Sequence, residues 1–130
     1  GPLKKTKHPI FGKNGHVAID DIRSRREFFL GKSVARIEHE FTKRGYKVIR
    51  RKSVRFGSRA KIIVTINPSQ ERNVTQVQIS SGSHRHGNIP YVKISTTDYG
   101  RIKTIGSDEK AYKTDGTEKA LLLFRRKKDD

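Results

Sequence analysis

One stretch of the chain reads Ser81-Gly82-Ser83-His84-Arg85-His86-Gly87-Asn88-Ile89-Pro90, with two imidazoles and a guanidinium at consecutive positions. Histidine is the side chain whose ordinary pKa, about 6.5, lets it take and give protons near neutrality. The loop leads into Tyr91-Val92-Lys93-Ile94-Ser95-Thr96-Thr97, and Arg101-Ile102-Lys103 follows after a short turn. Moving a ribose 2′-oxygen onto the adjacent phosphorus, to leave a 2′,3′-cyclic phosphate, needs a base, an acid and cationic donors. His86, with His84 beside it, offers proton transfer. Arg85, Lys93, Arg101 and Lys103 offer phosphate contacts, and Tyr91, Ser95 and Thr97 offer further donors. A two-metal hydrolase needs clustered carboxylates, whereas Asp98 is the only acid between Gln76 and Lys103. The chemistry expected is therefore metal-free and cofactor-free.

A blander reading has His84 and His86 touching phosphate without chemistry. A transition-metal site built on them is disfavoured, because no carboxylate or thiolate completes it. His8, His16 and His39 read as surface or core-edge histidines, although His16 lies in a loop able to fold back over a sheet. Arg50-Arg51-Lys52 and Arg125-Arg126-Lys127-Lys128 read as charge that steers phosphate rather than as chemistry. Tyr99 and Tyr112 offer rings for unpaired bases, but isolated tyrosines near turns are a weak signal.

These groups have to be held by a small scaffold. A chain of 130 residues supports one modest core. Its 30 Lys and Arg against 13 Asp and Glu give a net charge of +17, a self-repulsion that a polyanionic partner offsets. There is no Cys, which excludes disulfides and Cys-ligated zinc. No stretch approaches the roughly 20 apolar residues of a spanning helix, so no membrane anchoring is expected. Gly1-Pro2-Leu3 resembles the remnant of a protease cleavage site, which suggests a fragment of a longer protein.

Residues 1–17 read as an arm and 18–130 as one domain. A first helix is expected over 20–30 and a second over 33–44, capped by Ser33 and carrying Val34, Ile37 and Phe41 on one face. After Gly45 the period falls to two, giving strands at 46–51, 61–66, 74–80, 91–97 and 101–105. The run Ala120-Leu121-Leu122-Leu123-Phe124 fits a sixth strand or a short helix. The fold class is α+β, with two N-terminal helices on one face of a mainly antiparallel sheet of four to six strands spanning about 46–126 and the other face open. Alternation directs Val92, Ile94 and Thr96 to the core. Tyr91, Lys93, Ser95 and Thr97 then face away from it, with Arg101 and Lys103 alongside. A solvated face is the simpler account of such a surface; the adjoining His84-Arg85-His86 loop favours a working one.

The segment from Gly82 to Thr96, followed by Gly100-Arg101-Ile102-Lys103, resembles the C-terminal nuclease domains of bacterial polymorphic toxins, the group with barnase, EndoU, colicin-type nucleases and RelE. The shared pattern is a glycine-led Arg-His, Pro-Tyr, Lys-Ile-Ser-Thr, then Gly-x-Ile-Lys, over roughly the last third of the chain. The resemblance implies a ribonuclease acting on tRNA or rRNA, delivered by a larger secreted protein into the cytoplasm of a competitor. It also implies an acidic immunity protein, and a monomer is expected for the free domain. Carried over, His86 is the acid or base, Lys93 and Arg85 bind phosphate, Ser95, Thr96 or Tyr91 support them, and Lys103 adds a cation. His84 departs from the pattern as a second imidazole, which leaves open which histidine acts. The competing expectations are a non-catalytic RNA-binding module and a deoxyribonuclease toxin. The latter is disfavoured by the shortage of carboxylates and, on DNA, by the missing 2′-OH.

Overall fold

The computed structural model describes residues 10–52, 60–80, 89–112 and 119–125. Among the described residues two α-helices, α1 (Ile19–Ser24) and α2 (Val34–Thr42), precede six strands. The strands are β1 (Val48–Lys52), β2 (Lys61–Thr65), β3 (Val74–Ser80), β4 (Tyr91–Thr96), β5 (Arg101–Ile105) and β6 (Leu121–Phe124), paired in chain order in a single sheet. β1 to β5 are antiparallel neighbours, whereas β6 runs parallel to β5. A parallel neighbour cannot be reached through a hairpin, so β5 and β6 are not joined by a tight turn. The class is α+β, as expected.

α2 forms as its sequence dictates. Ser33 Oγ accepts from the Arg36 amide at 3.1 Å, and Ile37 and Phe41 fall on the buried face. Glu40 is also buried, and its carboxylate meets Arg44 at 2.8 Å and Lys43 at 3.2 Å. Burial pushes the Glu40 carboxyl up, but these two cations outweigh it and hold the group below its ordinary value.

The first helix is shorter than its pattern suggests. It ends at Ser24, with Arg25 outside helical geometry at φ −125° and ψ 44°. Residues 25–32 continue as turns, closed by the Phe28, Leu30 and Lys32 amides onto the carbonyls of Arg25, Glu27 and Phe29. Phe28 and Phe29 are adjacent yet both pack on the core, their rings 4.9 Å apart and edge to face. On a regular helix neighbouring side chains diverge by about 100°, so one of the two rings would be turned toward water.

The segment expected to be an arm joins the core from residue 10 onward. Ile10, Phe11 and Val17 are buried, and Phe11 bridges Val17 across a tight turn containing Asn14 at φ 58° and Gly15 at φ 86°. The Tyr46 hydroxyl donates to the Gly15 carbonyl at 2.7 Å. A Cβ on Gly15 would lie 2.9 Å from the Tyr46 ring, so this position needs glycine for both reasons. Asn73, fully buried, ties the segment to β3: its Oδ1 accepts from the Val17 amide at 2.9 Å and its Nδ2 donates to the Val17 carbonyl at 2.8 Å. Tyr46 itself precedes β1 rather than beginning it, and burial pushes its hydroxyl up to about 12.

The main core lies between helices and sheet, with Ile22, Phe29, Ile37 and Phe41 packed over Ile63, Val77, Ile94 and Ile102. β3 shifts register between Val74, opposite Thr96, and Gln76, opposite Ser95. The extra residue, Thr75, lets Val74 remain in the core while Gln76 and Gln78 face the other way. That other face is not entirely open: Tyr91, Ile105 and Tyr112 form a second apolar cluster there, with Ile89, Leu122 and Phe124 against it.

Candidate nucleic-acid interface

The register of the central strands builds the helix-free face row by row. Ser95 sits opposite Gln76 on β3 and Arg101 on β5. Lys93 sits opposite Gln78 and Lys103, and Tyr91 opposite Ser80 and Ile105. Residues directly opposite in a ladder share a face, so Tyr91, Lys93, Ser95, Arg101 and Lys103 lie together, as the alternation requires.

Their surroundings differ. Tyr91 is largely buried, and its hydroxyl accepts from Gln78 Nε2 at 2.8 Å. Lys103, expected as a surface cation, is only 3% exposed. Its ammonium donates to the Tyr112 hydroxyl at 2.8 Å and lies 4.3 Å from the centre of the Tyr91 ring. Burying an ammonium is costly without such partners. Tyr112, carried on the chain returning to β6, therefore covers Lys103 rather than standing free for base stacking. Lys93 and Ser95 are half-buried and Arg101 is exposed.

Thr96 reaches the edge of this surface, whereas Thr97 lies beyond it. Thr96 closes the turn, its Oγ1 donating to the Gly100 carbonyl at 2.9 Å and accepting from the Tyr99 amide at 2.8 Å. Thr97 lies past the end of β4, exposed, with its amide on the Asn73 carbonyl. Gly100, at φ 73°, completes the turn. His84, Arg85 and His86 lie outside the described residues.

A cleft of about 440 Å³ opens where Thr75, Gln76, Lys93, Ser95, Thr96, Gly100 and Arg101 meet. A larger hollow, about 560 Å³, lies along α2. Its Arg36 and Lys43 already face Glu40, which leaves the smaller cleft better suited to an anion.

At the turn beyond the cleft the fold joins residues far apart in sequence. His16 Nε2 donates to Asp98 Oδ2 at 3.1 Å, and Asn73 Nδ2 donates to Asp98 Oδ1 at 2.8 Å. Partial burial pushes the Asp98 carboxyl up, but the Asn73 and His16 hydrogen bonds outweigh it and hold the group below its ordinary value. His16 also meets the Tyr99 ring edge to face, 6.4 Å between centroids. The single acid of this region is thus occupied. Sequence reasoning missed Gln76 and Gln78 because it assigned no faces to β3, where alternation with Val77 and Ile79 turns them to the helix-free side, and the His16–Asp98 pair because 82 positions separate its members.

Among the described residues no three potential metal ligands cluster, and no helix is long and apolar enough to cross a membrane. Compared with known protein families, curated proteins and solved structures, the chain matches none.

Proposed function

We propose that this domain is a metal-independent endoribonuclease of the toxin type, cutting RNA by attack of the 2′-OH to leave a 2′,3′-cyclic phosphate. The observation carrying this reading is the register of β4 with β5, which gathers Tyr91, Lys93, Arg101 and Lys103 on the face the helices leave free. Tyr91 begins the strand that follows the His84-Arg85-His86 segment in sequence. In this reading His86 or His84 removes the 2′-OH proton and the other returns one to the departing 5′-oxygen. Arg85 and Lys93 meet the negative charge that builds on the non-bridging oxygens. Lys103, held beneath Tyr112, acts through its field. A net charge of +17 concentrates polyanionic substrate at this surface. Delivery by a larger secreted protein into a target-cell cytoplasm, a tRNA or rRNA substrate and an acidic immunity protein belong to the same proposal. The test is incubation of the domain with total RNA in EDTA, with product ends assigned as 5′-OH and cyclic phosphate.

One observation favours a second reading, a non-catalytic RNA-binding module. Among the described residues, the β3–β5 positions of this face carry amides, hydroxyls and cations, with neither an imidazole nor a carboxylate. Those groups bind phosphate and bases but do not relay protons. This reading predicts strong, salt-dependent affinity without turnover. A deoxyribonuclease stands third, since a DNA backbone offers no 2′-nucleophile.

A further inference from the structure

Gln76, Ser95 and Arg101 form one row across β3, β4 and β5, beside the turn from β4 to β5. Adjacent strands lie about 4.8 Å apart, so the row spans about 10 Å. Its chemistry is complementary: Arg101 brings a planar fork of donors, Gln76 an amide with a donor and an acceptor, and Ser95 a hydroxyl with both. All three line the cleft of about 440 Å³.

The three side chains have no hydrogen-bond or ion-pair partner among the described residues, although their neighbours are committed. Thr75 Oγ1 donates to the Ser95 carbonyl at 3.2 Å, and Thr96 Oγ1 donates to the Gly100 carbonyl at 2.9 Å. Asp98, three positions from Arg101, is bound to His16 and Asn73 instead. Arg101 therefore keeps its charge for an outside anion.

We propose that this row is a subsite for one nucleotide of single-stranded RNA, with Arg101 and Ser95 holding its phosphodiester and Gln76 bonding the edge of its base. The inference rests on reading this face as an RNA surface, and it is independent of cutting. A guanidinium fork matches phosphate oxygens in a way a point charge does not. Base edges reach such a row only from an unpaired strand, since the deep groove of an RNA duplex hides them. Ser95 lies four residues along β4 from Tyr91, about 13 Å at the rise of an extended strand. The nucleotide held here is thus distinct from one bound at the Tyr91 end of the strand, and Ser95 serves binding rather than the reacting phosphate.

The test measures anisotropy of fluorescein-labelled 2′-O-methyl RNA hexamers, which cannot be cut through the 2′-oxygen, over a potassium chloride series. The variants are Arg101→Ala, Gln76→Ala, Ser95→Ala and, as an equal loss of charge on the helix layer, Arg25→Ala, each checked for an unchanged melt. Arg101→Ala is expected to weaken binding about tenfold and to flatten the salt slope by about 0.7, the share of one single-strand phosphate. Gln76→Ala should weaken binding unequally among A, C, G and U hexamers and leave the slope unchanged. Arg101→Ala matching Arg25→Ala in affinity and slope overturns the subsite. Cutting of unmodified RNA is scored separately. Wild-type protein that binds through this row yet never cuts ends the ribonuclease reading and keeps the subsite; protein that cuts while Arg101→Ala behaves like Arg25→Ala does the reverse.

Discussion

Lys93 on β4 stands directly across from Lys103 on β5, so two ammonium side chains share one row of the sheet. Like charges placed opposite one another weaken a ladder, and Lys103 carries the further cost of burial beneath Tyr112.

Lys103→Met separates the effect of this charge on stability from its effect on RNA binding. Methionine has a similar reach without the charge, and replacing a buried ion with a well-packed apolar side chain is often neutral or stabilising. The expected outcome is an unchanged or raised urea midpoint together with an RNA affinity reduced severalfold. Equal affinity in filter binding, with stability retained, would remove Lys103 from the functional account.

Tyr46→Phe deletes the hydroxyl that donates to Gly15 and should cost about 1 kcal/mol at neutral pH. The same variant should alter the alkaline limb. The Tyr46 hydroxyl is held up to about 12 in the fold, against about 10 in an unfolded chain. Its contribution is full below about pH 10 and drains away as pH rises toward 12. Urea melts at successive alkaline pH values should show the wild type losing stability faster than Tyr46→Phe.

Asn73 is the joint between residues 10–17 and the sheet. Asn73→Ala leaves the Val17 amide and carbonyl without their partners, and each unsatisfied buried group costs about 1–3 kcal/mol. A loss of about 3 kcal/mol or more is expected from chemical denaturation. A change under about 1 kcal/mol would mean that water replaces the amide.

Asp98 governs an acid limb. Its folded pKa is depressed, so its contribution is present above about pH 4 and fades as pH falls through the depressed value. Asp98→Asn should show a shallower loss of thermal stability on acidification than the wild type, read from melts between about pH 5 and pH 2. His16→Ala should move in the same direction by a smaller step, because Asn73 still donates to the carboxylate.

The strands were legible where one side was buried and the other was not. Ile94 and Ile102 alternate with Lys93, Ser95 and Lys103, and β4 and β5 lie where that pattern puts them. β6 was ambiguous for a physical reason: Leu123 packs in the main core while Leu122 and Phe124 pack in the second cluster. A strand buried on both faces has no alternation to read. Residues 10–17 looked like an arm because three apolar side chains over eight positions make no period, and their burial depends on Asn73 and Tyr46, distant in sequence. The site was legible as a face but not as a depth. Alternation located Lys103 correctly, whereas its burial under Tyr112 depends on the route taken to β6.

The central claim is that this face works on RNA through the imidazoles of the preceding segment, and mapping RNA ends in EDTA with wild-type and His86→Ala protein tests it most directly. The account predicts 5′-OH and 2′,3′-cyclic phosphate ends from the wild type, and from His86→Ala at least a hundredfold less cutting with RNA affinity retained. Intact RNA with the wild type, or undiminished cutting by a variant lacking both His84 and His86, would contradict it.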